Sequence, residues 1–286
     1  MRTQPNLLRA LANIVNNPIT EIREYYRSRN RINNVGEALE TYCKDAFSSA
    51  FGKDKESEKM LLYHEAFSYI GNQNNPPDII LLKGDAIEVK KIQSSNSALA
   101  LNSSYPKSKL FADSKMITNA CRNCEKGWSI KDIIYIVGHT TDESLKSLWL
   151  VYGDCYAADK EVYERIKSSI SDGVNLIPDI EFAETNELGK VKKVDPLGIT
   201  DLRIRGMWHI KNPKDVFDYV YQYDSTAKFQ LVSIIRGEKY KSFPIEDRNA
   251  LESLKNENLL INEAKIKDPD NPAKLIDAKL IIFKRK

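Results

Sequence analysis

The chain has few cysteines, no long apolar run, no glycine-rich phosphate loop and almost no excess of one charge, and each shortage removes a class of protein. Four cysteines (Cys43, Cys121, Cys124 and Cys155) in 286 residues do not form the dense framework of a small disulfide-stapled scaffold. No apolar stretch approaches the roughly 20 residues that a membrane-crossing helix needs. The N-terminal MRTQPNLLRALANIV is a short amphipathic segment with neither a signal-peptide core nor a small-residue cleavage site, so a cytoplasmic protein without membrane partners is expected. No dinucleotide fingerprint or phosphate-cradling glycine loop is present, and His64, His139 and His209 lack an evident partner for nucleophilic catalysis. A net charge of +3, from 43 basic and 40 acidic residues, selects no partner, because a protein that handles DNA needs a basic groove rather than a basic whole. Cys121-x-x-Cys124 is half of a zinc site. Completing it would require Cys155 and His139 to meet it in the fold, and ordinary reduced thiols are the simpler reading.

What is present reads as an ordinary globular chain, 42% hydrophobic and 29% charged. A helix is expected over about Asn6 to Asn16, closed by Asn17-Pro18, and a second runs to about Arg29. Asn33 or Asn34 can cap a third, in which Val35, Leu39, Tyr42, Cys43, Ala46 and Phe47 recur at helical spacing. After the charged stretch Lys53 to Lys59 the pattern changes to strands: an apolar run from Pro77 to Leu82, a turn at Lys83-Gly84-Asp85, and period-two alternation over Ala86 to Lys90. Lys131 to Gly138 and Ser147 to Tyr152 read as further strands, separated from the Glu88 strand by enough chain for a helical crossover. A helix is expected at Asp159 to Ile170, a loop-rich stretch at Asp172 to Leu197, and strands at Leu202 to Trp208, Phe229 to Arg236 and Lys274 to Lys284. The expectation is an α/β fold, a mixed sheet flanked by helices. It forms one domain over 1–286, with a core at about 30–155 and a C-terminal elaboration at about 156–286.

The informative constellation is Pro77-Asp78, nine intervening residues, then Glu88-Val89-Lys90. Two neighbouring carboxylates hold a hard divalent cation such as Mg2+ through oxygen ligands. Such a cation activates water and neutralises charge building on a phosphodiester, while a lysine beside it orients or deprotonates the water and contacts the phosphate. Glu88 and Lys90 lie two apart on a strand and share a face, and the turn returns this strand beside the one that starts at Asp78. Asp78, Glu88 and Lys90 therefore form the candidate catalytic set, with Asp78 and Glu88 as metal ligands. Asp85 fits less well because it sits in the turn. Charged pairs two apart also occur on plain solvated strands; the Pro-Asp start, the tight turn and the apolar flanks set this one apart.

This motif resembles that of the PD-(D/E)xK nuclease superfamily, and within it the type II restriction endonucleases. The stretches RNRINNVGEALETYCKDAF (Arg29 to Phe47), EVKKIQSSNSALALNSSYPKSKL (Glu88 to Leu110), CRNCEKGWSIKDIIYIVG (Cys121 to Gly138) and DPLGITDLRIRGMW (Asp195 to Trp208) are similar to restriction enzymes of the NgoPII kind. The resemblance implies a PD-(D/E)xK core and Mg2+-dependent hydrolysis of double-stranded DNA that leaves 5′-phosphates. It also implies a short palindromic GC-rich site such as GGCC, a homodimer, and a cognate DNA methyltransferase acting on the same site. The superfamily often adds a carboxylate from the preceding helix; Glu40, on the flank of the apolar stripe, is favoured over Glu37, and a merely solvated carboxylate is as good an account. A structure-specific repair or recombination nuclease of the same superfamily and a non-catalytic DNA-binding module stand as alternatives.

DNA contacts are expected from the polar segment after the motif: Gln93, Asn96, Ser97, Asn102, Ser103, Ser104, Tyr105, Lys107 and Lys109. Arg29 and Arg31 are candidate backbone grips. Arg203 and Arg205 alternate on one strand face, and arginine forks match the O6 and N7 acceptors of guanine. Local ion pairing with Asp201 or Asp195 is an equally open account of both.

Overall fold

The computed structural model describes residues 4–30, 35–72, 75–141 and 144–286. Helices α1 (Leu7–Asn16), α2 (Ile22–Asn30), α3 (Val35–Ser48) and α4 (Glu56–Ala66) lead into strands β1 (Phe67–Asn72), β2 (Asn75–Leu81) and β3 (Ala86–Ile92). The short β4 (Leu99–Ala100) and β5 (Lys109–Phe111), the single turn α5 (Asn119–Arg122) and the long β6 (Ile130–Thr140) and β7 (Leu145–Tyr152) come next. Then come α6 (Gly153–Tyr156), α7 (Lys160–Asn175), β8 (Gly189–Val191), β9 (Leu202–Ile204), β10 (His209–Ile210) and α8 (Pro213–Val216). The chain closes with β11 (Phe229–Arg236), α9 (Gly237–Ser242), α10 (Ile245–Ser253), β12 (Leu259–Lys267) and β13 (Leu275–Arg285).

One large mixed sheet organises these elements in the order β1-β2-β3-β6-β7-β11-β13-β12, with β5 paired to β6 off that path. Strands β3 and β6 run parallel, as do β7 and β11, while the other adjacent pairs are antiparallel. The central strands are covered on both faces, which is why Ile133–Val137, Leu148–Val151 and Leu231, Val232, Ile234 and Ile235 are buried as near-continuous apolar runs rather than alternating ones. Helix α1 turns Leu7, Leu8, Leu11 and Ile14 inward. Its Asn6 side chain accepts from the Arg9 amide and donates to Asp247 of α10, and Arg9 pairs with Asp247 at 2.6 Å.

Two glycines set close approaches. A Cβ at Gly138 on β6 would stand 2.6 Å from the Leu39 side chain, so its absence lets α3 settle onto the sheet with Glu40 beside the end of β2. A Cβ at Gly153 would stand 2.3 Å from the Lys107 carbonyl oxygen and 2.7 Å from that of Ser108. Main-chain atoms cannot swing aside as a side chain can, so Gly153→Ala is expected to cost about 1–3 kcal/mol. Urea unfolding measures this, and an unchanged midpoint would count against the contact.

The mixed sheet flanked by helices agrees with expectation, and so do the Asp78–Lys90 hairpin and the positions of α1, α3, α7, β6, β7, β11 and β13. Several elements differ. The parallel β3–β6 connection, 93–129, is mostly irregular and carries two short strands and one helical turn instead of a crossover helix. Residues 202–208 supply only the three-residue β9. Helix α4 occupies the end of the charged stretch and the residues just beyond it. It docks through Lys59, Tyr63 and Ala66 while Met60 and Leu61 face solvent, so it shows no apolar stripe to read. The sheet also continues past residue 155, since β11, β13 and β12 extend it from the C-terminal half.

Candidate active site

The β2–β3 hairpin carries the three candidate catalytic residues. Its turn is closed by the Leu81 amide donating to the Asp85 carbonyl, with Lys83 in the left-handed region at φ 54°. The register pairs Ile80 with Ala86 and Ile79 with Ile87; one step further out, Asp78 stands across from Glu88. Glu88 is 8% exposed, and Lys90, two residues on, turns to the same face and pairs with Glu88 Oε1 at 2.7 Å. Val89 packs into the core, and its amide donates to Asp78 Oδ2 at 2.6 Å. The hairpin thus brings Asp78, Glu88 and Lys90 together. Asp85 belongs elsewhere: it is buried, accepts from Tyr152 at 2.6 Å and pairs with Lys239 at 2.7 Å.

The electrostatics of the group are those of a site one positive charge short. Burial, then the Glu88 carboxylate, pushes the Asp78 carboxyl up to about 7, against the opposing pull of Lys90 and the Val89 amide. Burial depresses the Lys90 amine, but Glu88 and then Asp78 outweigh it and hold that amine above its ordinary range, so it is a proton-bearing donor. Glu88 Oε2 is buried with no hydrogen-bond partner. An orphaned carboxylate oxygen beside a carboxyl that resists ionisation fits a divalent cation between them. Among the described residues no group of three or more His, Cys, Asp or Glu is placed to hold a metal, so the protein would offer two carboxylates and leave the other positions to water and substrate oxygens. Glu40 lies against Asp78 across a small pocket shared with Lys44, Ile70 and Asn72, and its charge adds to the upward push on Asp78. Glu37 is exposed.

The group opens into a cleft of about 730 Å³ whose walls include Asn75, Asn102, Ser103, Ser104, Lys115, Glu187, Arg203 and Arg205. Arg203 and Arg205 therefore line the same space as Asp78, Glu88 and Lys90. Their ion-pair partner is Glu187 (Arg203 Nε at 2.8 Å, Arg205 Nε at 2.6 Å) rather than Asp201, which pairs with Lys190, or Asp195, which accepts the main-chain amides of Leu197, Ile199 and Thr200. Other expected DNA contacts lie off the cleft. Lys107 is buried, and its amine donates to Ser104 Oγ and the Tyr105 carbonyl; burial pushes that amine down to about 8. Lys109 is held by Asp132 and, at 2.9 Å, by Asp154. Neither offers a free amine to a groove, because each is spent on internal partners. Tyr105 donates to Glu164 and stacks on Tyr163. Gln93 and Ser97 lie beyond the end of β3 with Asn96, which accepts from Lys214. The Arg29 side chain and all of Arg31 lie outside the described residues. The four cysteines are free thiols. Lys115, the last residue of the polar, lysine-bearing segment, lies on the cleft wall; Thr185, Asn186 and Glu187 were not anticipated there, and they fall in a stretch with no period to read.

The model of the NgoPII restriction endonuclease family matches residues 5–267. The chain belongs to that family. It is also 49% identical, over 279 residues, to the type II restriction enzyme NgoPII of Neisseria gonorrhoeae, an alignment that covers 97% of this chain and 99% of that enzyme. No solved structure matches the chain. Membership makes this NgoPII-family protein a type II restriction endonuclease, a phosphodiester hydrolase acting site-specifically on DNA. No helix among the described residues is long and apolar enough to cross a membrane.

Proposed function

We propose that this endonuclease has a PD-(D/E)xK active site formed by Asp78, Glu88 and Lys90, with Glu40 shaping the field around Asp78. It cuts both strands of duplex DNA at a short palindromic GC-rich site of the GGCC type and leaves 5′-phosphates. The observation that carries the reading is the buried, unpartnered Glu88 Oε2 in a cleft that Asp78, Lys90 and two arginines also line. Asp78 and Glu88 hold Mg2+. When bound, the ion supplies Lewis-acid activation of water and neutralises charge on the scissile phosphate. Lys90 keeps Glu88 oriented and donates to a phosphate oxygen. Asn102 and Ser103 hold the backbone in register, and Arg203 and Arg205 read guanine edges. A palindromic target presents two equivalent strands, which a two-fold homodimer matches with one site each. In the cytoplasm a methyltransferase modifying the same sequence protects host DNA. The GGCC assignment, the dimer and the methyltransferase rest on the family resemblance.

Incubation of the purified protein with plasmid, with Mg2+ or with chelator, followed by sequencing of fragment ends tests this reading. Discrete fragments whose 5′-phosphate ends all fall at one fixed position relative to GGCC, and only in the Mg2+ arm, are the expected result. A smear without sequence preference, or cutting that survives chelation, would overturn it.

A further inference from the structure

Glu187 carries a contact that neither catalysis nor ordinary folding explains. A single carboxylate with a 13% exposed side chain serves two arginines that are themselves more than half exposed. Arg203 gives it the Nε edge, with Nε to Oε2 at 2.8 Å and Nη2 to Oε1 at 2.9 Å, and Arg205 gives Nε to Oε1 at 2.6 Å. A guanidinium presents two donor edges. Gripping it by the Nε edge still leaves Nη1 and the second N–H of Nη2 as a forward fork, even in Arg203, whose Nη2 gives one N–H to Oε1. Both arginines therefore keep the fork that fits two acceptors on one base edge, and they hold it in the cleft that contains Asp78 and Glu88.

The main chain around Glu187 is itself held. Lys167 of α7 donates to the Asn186 carbonyl at 2.8 Å, Ser171 donates to the Leu188 carbonyl at 2.9 Å, and Thr185 Oγ accepts the Glu187 amide. The β8–β9 pairing adds the Leu188 amide to the Ile204 carbonyl at 3.0 Å, so donor and acceptor strands are locked to each other. Helix α7 fully buries none of its side chains; it packs Tyr163 against Tyr105 and Trp208 on one side and grips this segment on the other. Exposed arginines lose substantial rotamer freedom on binding a base, and fixing both in advance removes part of that cost and restricts which acceptor geometry they accept.

We infer that Glu187 is a specificity-determining positioning residue: it holds Arg203 and Arg205 by their Nε edges so that their free forks meet acceptor pairs on neighbouring bases of the target. This inference rests on the proposed base-reading role of the two arginines. It makes no use of Glu187 as a metal ligand or as a reacting group.

The test compares cleavage of the cognate duplex with that of duplexes changed at one base pair, for wild type, Glu187→Ala, the near-isosteric Glu187→Gln, Arg203→Ala and Arg205→Ala. Both Glu187 variants are expected to lose about 10-fold or more of the cognate-to-variant ratio of kcat/KM, the scale of one good bidentate base contact. Binding to non-specific duplex is expected to strengthen, since two cations lose their counter-charge. A merely structural role would lower the melting temperature and leave the ratio unchanged, which overturns the inference. So would tighter and faster action on the cognate site, because Glu187 would then compete with DNA for the arginines. If the two arginine variants themselves keep the full ratio, the base-reading assignment is what fails. Glu187→Gln keeps the measurement possible should Glu187→Ala fold poorly.

Discussion

Asp78→Asn is expected to abolish cleavage and, in the same protein, to raise the stability of the metal-free enzyme. The first effect follows, on the proposed reading, from losing one of the two carboxylates that would hold the cation. Several kcal/mol of transition-state stabilisation disappear, a loss of roughly a thousandfold or more in rate. The second follows from linkage. The Asp78 carboxyl is pushed up to about 7 by burial and by Glu88, whereas in the unfolded chain it returns to the ordinary value near 4. Between those values the folded state binds a proton that the unfolded state has released, so stability falls as pH rises across that window. A neutral amide removes this slope while retaining an oxygen for the Val89 amide. In chelator the variant should therefore melt like wild type near about pH 4, and should be more stable by about 1–3 kcal/mol near about pH 8. Cation binding by the wild type must release that proton, so its apparent Mg2+ affinity should climb through about pH 7. Equal melting of the two proteins at the upper pH, or cutting by the variant within about tenfold of wild type, would count against Asp78 as the proposed ligand.

The parts of this site that were legible in the sequence are those encoded by local period and turn chemistry. Glu88 and Lys90 share a face because they sit two apart on a strand, and Lys83-Gly84-Asp85 closes the hairpin that sets Asp78 across from Glu88. The long strands β6, β7 and β11 announce themselves by unbroken apolar runs. What was hidden depends on pairing at long range. Nothing local says that Lys107 turns inward to Ser104 and Tyr105 while Lys115 stays on the cleft, since both stand in the same polar, lysine-bearing segment. Glu187 lies in a loop-rich stretch, and its importance appears only when β8 pairs with β9 and carries it to the two arginines. Helix α4 was missed for a physical reason as well: the side chain it buries most deeply is a lysine, which no apolar template counts.

That lysine underlies the second large effect. Asp45 of α3 is fully buried and accepts from Tyr26 of α2, from Tyr63 of α4 and from Lys59 of α4 at 2.9 Å, with Lys59 itself 2% exposed. A buried ion pair is weak evidence of net stability, but removing one member strands the other in a medium that cannot solvate it. Asp45→Ala is therefore expected to cost about 3–5 kcal/mol in urea unfolding. Lys59→Met added to it should restore much of that loss, because the stranded ammonium is replaced by an apolar chain of similar length. The consequence reaches the active site, since α3 also carries Leu39 onto Gly138 and Glu40 beside Asp78. Loosening α3 opens the wall behind Asp78 to water, weakens the burial that raises its carboxyl, and should shrink the pH-dependent gap between wild type and Asp78→Asn when both are placed in the Asp45→Ala background. A single substitution that costs under about 1 kcal/mol, or a double one no better than the single, would mean that the three helices are joined by their apolar faces alone.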